Sequence, residues 1–133
     1  MPSWKHVEPA RLLSGHPHAV CESAVTLAER ADAAAIVAVT RGGQTARVLS
    51  ALRPRVTIFG ATDRTDIARR LALAWGVVPV LTDLSGDVSV AASRIGADLV
   101  TRGVLAPGSV IVLVSVMADL TPGPSNFVKV QRV

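Results

Sequence analysis

The run Thr40-Arg41-Gly42-Gly43-Gln44-Thr45 combines hydroxyl, guanidinium and glycine residues in an order that suits an anion-binding turn. It follows the apolar run 34–39 and precedes the helix-like segment 46–52, so it is predicted to join a strand to a helix. The first amides of a helix have no partner within the helix, and the helix dipole adds positive potential there. Backbone amides and the two threonine hydroxyls could therefore hold a phosphate, with Arg41 or Arg47 supplying positive charge.

The same two glycines also have a purely structural interpretation. A Gly-Gly pair after a strand is common in turns that need a positive φ. The spacing is not that of a P-loop or of a dinucleotide fingerprint, so neither nucleotide motif is supported. On these residues alone, a phosphate site and a plain turn remain alternatives.

No other group of residues in the sequence indicates catalysis or a bound cofactor. We find no Ser/His/Asp, Cys/His or paired-carboxylate arrangement, so we predict no catalytic residue and no cofactor. His16, His18 and Cys21 are close in sequence but lack a fourth ligand, and no metal site is predicted from them. Cys21 is interpreted as a small buried apolar residue.

Composition restricts the class of ligand and the compartment. The 133 residues suit one domain, and with 3% aromatic residues its core must be aliphatic. A net charge of +4 on scattered arginines, with few rings for base stacking, favours a small anionic ligand over nucleic acid. The sequence has no run of 18 apolar residues and no signal-like leader, so we expect no membrane span. The single cysteine favours a reducing, cytoplasmic location.

Apolar periodicity and turn residues predict alternating helices and strands. Residues 1–15 show no clear period and are interpreted as an N-terminal arm. The predicted helices cover about 18–31, 44–52 and 64–74, with a fourth and longest one between Asp87 and Gly103. The predicted strands are 35–39, 56–60, 77–81, 109–116 and 126–133.

This alternation is typical of a three-layer α/β domain with a mostly parallel sheet. Pro79 lies inside the third strand and places that strand at an edge, because proline cannot donate to a ladder. Ligands of such sheets bind at the carboxyl ends of the strands, where strand order reverses. If the first and fourth strands are neighbours, residues 40–45 and the loop 117–125 border one crevice.

Four segments, in order and at similar spacing, resemble the C-terminal domain of pyruvate kinase without its catalytic barrel. They are 35–47, Arg53-Pro54, Arg70-Leu71-Ala72-Leu73-Ala74-Trp75-Gly76-Val77-Val78-Pro79-Val80, and 125–133. The resemblance covers residues 16–133. It implies a three-layer α/β/α sandwich with a five-stranded mixed sheet, mostly parallel, whose last strand is antiparallel.

The resemblance also implies a site for a phosphorylated effector. In that family the domain binds sugar phosphates allosterically, and the phosphate-binding turn corresponds to residues 40–45. The second effector loop corresponds to about 119–125, which adds Gly123 and Ser125 to the predicted site. Where the family's turn usually has a serine in third place, this chain has Gly42. Pro122 and Pro124 remove amide donors from the second loop, so both departures weaken the expected affinity for a sugar bisphosphate.

These expectations define two candidate functions. The first is a non-catalytic regulatory module that binds phosphate or a phosphorylated metabolite at the turn. The second is an oligomerisation module without a ligand of its own, forming a homodimer or larger homo-oligomer through the last strand. In either case we expect no pyruvate kinase activity from this chain alone. The apolar residues available for such pairing are Phe127, Val128, Val130 and Val133.

Overall fold

The protein was analysed as a computed structural model, which describes residues 9–86, 88–116 and 126–133. Four helices and five strands alternate along this part of the chain. The helices are α1 (Pro9–Arg30), α2 (Gln44–Ala51), α3 (Thr65–Leu71) and α4 (Val88–Thr101). The strands are β1 (Ala35–Val39), β2 (Thr57–Thr62), β3 (Val77–Leu81), β4 (Val110–Ser115) and β5 (Phe127–Arg132).

The strands form one mixed sheet in the order β3-β2-β1-β4-β5. The pairs β1–β2, β1–β4 and β2–β3 are parallel, and β4–β5 is antiparallel. This confirms the predicted five-stranded mixed sheet with an antiparallel last strand. It also confirms the edge position of the strand that carries Pro79, where a missing amide can face away from the ladder.

Helices cover both faces of the sheet, which makes three layers. All five residues of β1 are buried, as its uninterrupted apolar run predicts. On one face α1, α2 and α3 pack through residues such as Ala24, Leu49 and Leu71. On the other face α4 is the one described helix, and it packs through residues such as Ile95 and Leu99. Close approach under α3 requires Gly60, where a Cβ would come within 2.9 Å of Leu71 Cδ1.

The largest difference from the sequence prediction is α1. The helix begins at Pro9, not near His18, so residues 9–15 of the predicted arm are helical, and α1 rather than α4 is the longest described helix. Proline suits the first turn of a helix because its φ is helical and its missing N–H is not needed there. Pro17 lies inside the helix. Because proline is usually unfavourable in a helix interior, the predicted start of α1 lies after Pro17. Residues 1–8 lie outside the described part.

The start of α3 has no side-chain cap among the described residues. Arg64 is the cap residue, and its side chain makes no capping bond there. The Thr62 hydroxyl instead accepts the Arg64 amide at 3.3 Å and donates to the Arg41 carbonyl, also at 3.3 Å. Tertiary contact with the 40–45 segment thus replaces the local cap.

Candidate functional site

The candidate site lies where strand order reverses, between β1 and β4. These strands are neighbours in register, with Val39 opposite Ser115. The segment after β1, residues 40–45, is called here the Thr40–Thr45 turn. The pairing confirms that the first and fourth strands are neighbours, so Thr40 and Val116 follow them at the same edge of the sheet. The crevice between residues 40–45 and the loop 117–125 stays a prediction, because that loop lies outside the described residues.

The turn is built by Thr40 and Gly43. Thr40 is buried, and its amide donates to the Ala61 carbonyl at 2.8 Å, which extends the pairing of β1 with β2. Its Oγ1 accepts the Gly43 amide at 2.8 Å. Gly43 has a φ of 83° and is the residue that caps α2, so a side chain at this position would be strained.

One of the predicted phosphate donors is therefore already used by the protein itself. The Gly43 amide is bound to Thr40, whereas the amide of Gln44, the first residue of α2, makes no hydrogen bond to any described residue. Gly42 and Gln44 are exposed, and Gly43 and Thr45 are buried. The turn is thus partly closed by its own hydroxyl group and partly open.

The two threonine hydroxyls differ in how firmly they are held. Thr40 Oγ1 accepts one bond and keeps its own proton available, because a hydroxyl both accepts and donates. Thr45 is only 2% exposed, and its Oγ1 donates to the Val116 carbonyl at 3.4 Å. That distance is long for an O–H···O bond, so the Thr45 hydroxyl is weakly engaged.

Two arginines contribute positive charge at the turn. The Arg41 side chain is within 3.5 Å of the Leu84 carbonyl, measured from Nη2. Arg47 Nη2 donates to the Gly42 carbonyl at 2.9 Å, and its Nε is 3.4 Å from the Gly43 carbonyl. The ion pairs recorded among the described residues involve other cations, so neither of these charges is neutralised by a described carboxylate.

Sequence reasoning did not assign Arg47 a structural role at the site. Its position four residues after Gly43 was an available signal, because residues i and i+4 of a helix lie on one face. The carbonyls of a glycine pair at the start of a helix are then within reach of a long side chain. Leu84 and Thr62 were missed, because Leu84 comes to the turn from the segment after β3 and Thr62 from the end of β2.

The segment after β3 is the other described neighbour of the turn. Asp83 Oδ1 accepts a hydrogen bond from the Ser85 amide at 2.9 Å. This bond is the largest cause of a lowered pKa of the Asp83 carboxyl, and a hydrogen bond with the Ser85 side chain is the second. Arg94 donates to the Asp83 carbonyl at 2.7 Å. The segment is thus held by α4 while Arg41 approaches it from the turn.

Gly123 and Ser125, predicted from the second effector loop, lie outside the described residues, as do Pro122 and Pro124. Their part in the site stays a prediction. In the described ranges there is no group of three His, Cys, Asp or Glu side chains placed to hold a metal ion. None of the helices in these ranges combines the length and apolar character needed to cross a bilayer.

A second surface feature lies away from the turn, between α1 and the outer strand β5. This groove has a volume of about 540 Å³ and contains none of the turn residues. Leu27 and Val128 are its apolar members. The lining residues are Glu22, Ser23, Thr26, Leu27, Arg30 and Val128.

A mostly parallel sheet with a glycine turn opening a helix at its point of reversal is common among α/β domains. In comparison with known proteins, residues 18–131 match the family described as pyruvate kinase, alpha/beta domain. The chain belongs to this family, which confirms the resemblance found in the sequence.

The similar proteins are much longer than this chain. It is 32% identical to pyruvate kinase of Clostridium acetobutylicum over 108 residues, which are 81% of this chain and 23% of that protein. It is 33% identical to pyruvate kinase of Thermoplasma acidophilum over 116 residues, which are 87% of this chain and 21% of that protein. Pyruvate kinase of Cryptosporidium parvum in complex with ADP superposes with a TM-score of 0.76 at 30% identity, covering 87% of this chain and 23% of that one. The chain thus spans about a fifth of the length of its relatives.

Proposed function

We propose that this chain is a non-catalytic regulatory module whose Thr40–Thr45 turn binds one phosphoryl group of a metabolite. One observation at the start of α2 carries the proposal. Among the described residues, the Gln44 amide has no acceptor and the two arginines, Arg41 and Arg47, have no carboxylate partner. A phosphoryl oxygen would accept from the amide and gain from the helix dipole and the nearby charge. The Thr45 hydroxyl would exchange its long bond to Val116 for a shorter bond to the ligand.

The site favours a single phosphate over two. Gly42 offers no hydroxyl, and the Gly43 amide is occupied by Thr40. Two or three charge-assisted hydrogen bonds, at roughly 1.5–3 kcal/mol each, leave micromolar to millimolar affinity after the costs of association. We therefore expect inorganic phosphate and phosphate monoesters to bind with similar strength.

The role we propose in the cell follows from the family. Relatives of this chain are pyruvate kinases, and the match covers their alpha/beta domain. We propose that the module gives allosteric control to such a glycolytic enzyme in the cytoplasm, and that it performs no phosphoryl transfer itself. The free, buried Cys21 agrees with a reducing compartment.

The proposal is tested by titrating the ¹⁵N-labelled chain with inorganic phosphate and following its amide signals. Saturable shifts at Gln44 and Thr45 are expected. Thr45→Val keeps the buried shape but removes the hydroxyl, and should weaken binding. Thr101→Val is the matched control, because its hydroxyl bonds only within α4, to the Ala97 carbonyl at 3.1 Å. No saturable shift in the unmodified chain, or equal effects of the two variants, would reject the site.

A second candidate function, assembly through β5, has separate support. β5 is the outer strand of the described sheet, where one of its edges has no neighbouring strand, and Val130 on it is 44% exposed. The groove beside α1 adds apolar area at Leu27 and Val128. A second copy related by a two-fold axis could extend the sheet at this edge and cover these side chains.

Light scattering at tens of micromolar distinguishes the candidates. Assembly predicts twice the mass of one chain, and a return to the single mass in Val130→Glu. Val90→Glu is the control, since Val90 is 64% exposed on α4, away from β5. A single-chain mass for the unmodified protein would exclude this mode for the 133-residue chain.

A further inference from the structure

Arg47 holds both glycine carbonyls of the turn. Its Nη2 donates to the Gly42 carbonyl at 2.9 Å, and its Nε is 3.4 Å from the Gly43 carbonyl. Its own backbone amide donates to that second carbonyl at 3.1 Å. Arg47, a residue of the second turn of α2, thus bonds two successive peptide groups of the Thr40–Thr45 turn.

These contacts determine which way two amides point. A trans peptide group is planar, so the C=O of one residue and the N–H of the next point in opposite directions. Fixing the Gly42 carbonyl therefore fixes the Gly43 amide, and fixing the Gly43 carbonyl fixes the Gln44 amide. The first of these amides binds Thr40 Oγ1, and the second has no acceptor in the described ranges.

The turn needs such a constraint because its backbone is permissive. Two adjacent glycines have more conformational freedom than any other pair. The residue that caps α2, Gly43, supplies no side chain to bond the first turn. The planar guanidinium of Arg47 presents its donors in a rigid fork, which lysine cannot reproduce.

We propose that Arg47 is the positioning residue of the Thr40–Thr45 turn. Through the two glycine carbonyls it turns the Gly43 amide toward Thr40 and the Gln44 amide outward, before any ligand arrives. Its contribution to ligand affinity rests on the proposed function, whereas its effect on the free turn does not.

The test compares Arg47→Lys and Arg47→Gln with the unmodified chain by amide hydrogen exchange and by titration with inorganic phosphate. Arg55→Gln is the matched charge control. Arg55 is exposed, precedes β2 at the amino edge of the sheet, and makes no recorded bond to described residues. Far-ultraviolet circular dichroism verifies that each variant is folded, and Arg47→Lys keeps the test decisive if the glutamine variant is not.

Loss of Arg47 should accelerate exchange at Gly43 and shift the Gln44 signal in the absence of phosphate, with little change at β3 or β5. Phosphate binding should weaken about three- to tenfold in both Arg47 variants, because the Gln44 amide is no longer held in its binding orientation before the ligand arrives. Arg55→Gln should leave exchange at Gly43 unchanged. Normal exchange at Gly43 in both Arg47 variants would overturn the positioning role, even if phosphate binds. Faster exchange in a chain that never binds phosphate would uphold it and reject the ligand instead.

Discussion

The two ends of α2 are treated differently by the rest of the protein. At its carboxyl end, Ser50 Oγ donates to the Trp75 carbonyl at 2.7 Å, and the Arg53 guanidinium lies 4.6 Å from the centroid of the Trp75 ring. At its amino end, the Gln44 amide has no acceptor among the described residues. The carboxyl end of α2, called here the closed end, is thus bound to the connection between α3 and β3, whereas the amino end, called the open end, keeps an amide without a partner among the described residues.

In the proposed function, the closed end of α2 serves stability and the open end serves binding. A serine or aspartate in place of Gly43 could bond the first helical turn and contribute about 1 kcal/mol in an ordinary helix. The φ of 83° at Gly43 disfavours both residues, so the turn has its left-handed conformation at the expense of a side-chain cap. A helix that served packing alone would have no reason to forgo this stabilisation.

The largest expected effect comes from the centre of α2, which supports both ends. Leu49 is fully buried among α1, α2 and the sheet. Leu49→Ala should lower the free energy of unfolding by about 3 kcal/mol through lost burial and the cavity left behind. Urea denaturation measures this, and a loss below about 1 kcal/mol would show that the helix is not anchored there.

A high-pH measurement tests the face that α2 shares with α1. Burial raises the pKa of the Cys21 thiol from its ordinary value of 9.0 to about 11. The folded state therefore favours the neutral thiol. This contribution to stability is complete below about pH 9 and is lost as the pH rises through about 11.

Between about pH 8 and about pH 10.5, the unmodified chain should lose about 2 kcal/mol more stability than Cys21→Ala. The variant also loses packing at every pH, so the comparison concerns the difference between the two pH values. Equal pH dependence in the two chains would mean that the thiol reaches solvent before the domain unfolds.

The closed end is tested by Ser50→Ala. This change leaves the Trp75 carbonyl without its recorded donor and should cost about 1 kcal/mol. Ser23→Ala is the control, because Ser23 is exposed and bonds only the Ala19 carbonyl within α1, at 2.9 Å. Phosphate titration should not distinguish Ser50→Ala from the unmodified chain. Weaker phosphate binding in this variant would mean that the two ends of α2 are coupled.

Much of the fold could be predicted because local signals agree with the tertiary structure. The buried apolar runs at 35–39 and 110–114 read as central strands, and Pro79 placed its strand at an edge. The start of α1 could not be predicted, since proline at Pro9 and Pro17 gives the same signal in a loop as in a helix that tolerates it. Local rules state which φ proline adopts and which hydrogen-bond donor it lacks. Tertiary packing decides whether a segment that contains proline is nevertheless helical.

The candidate site was less predictable, because its details depend on contacts distant in sequence. The location of the candidate site at residues 40–45 could be predicted from the strand before it, the two glycines and the family resemblance. The Thr40–Gly43 bond and the Arg47 contacts depend on the actual turn conformation. Leu84 reaches the turn from the segment after β3, and Thr62 from the end of β2. Residue type alone predicted donors at Thr40 and Thr45, but could not show that both hydroxyls also bond the protein.

The smallest expected change in stability, and the sharpest test of the open end, is Gly42→Ser. Gly42 is exposed, has no positive φ, and a Cβ built on it meets no atom within 4 Å. The free energy of unfolding should therefore change by less than about 0.5 kcal/mol. The new hydroxyl adds a donor at the mouth of the turn, so phosphate should bind several-fold more tightly, as measured by the same titration.

Gly108→Ser is unsuitable as a control because its φ of 84° would add strain. Ala72→Ser, at the exposed end of α3, adds the same group without approaching the turn. If Gly42→Ser binds phosphate no better than Ala72→Ser, the open end of α2 does not face a ligand, and the contrast between its two ends is one of packing alone.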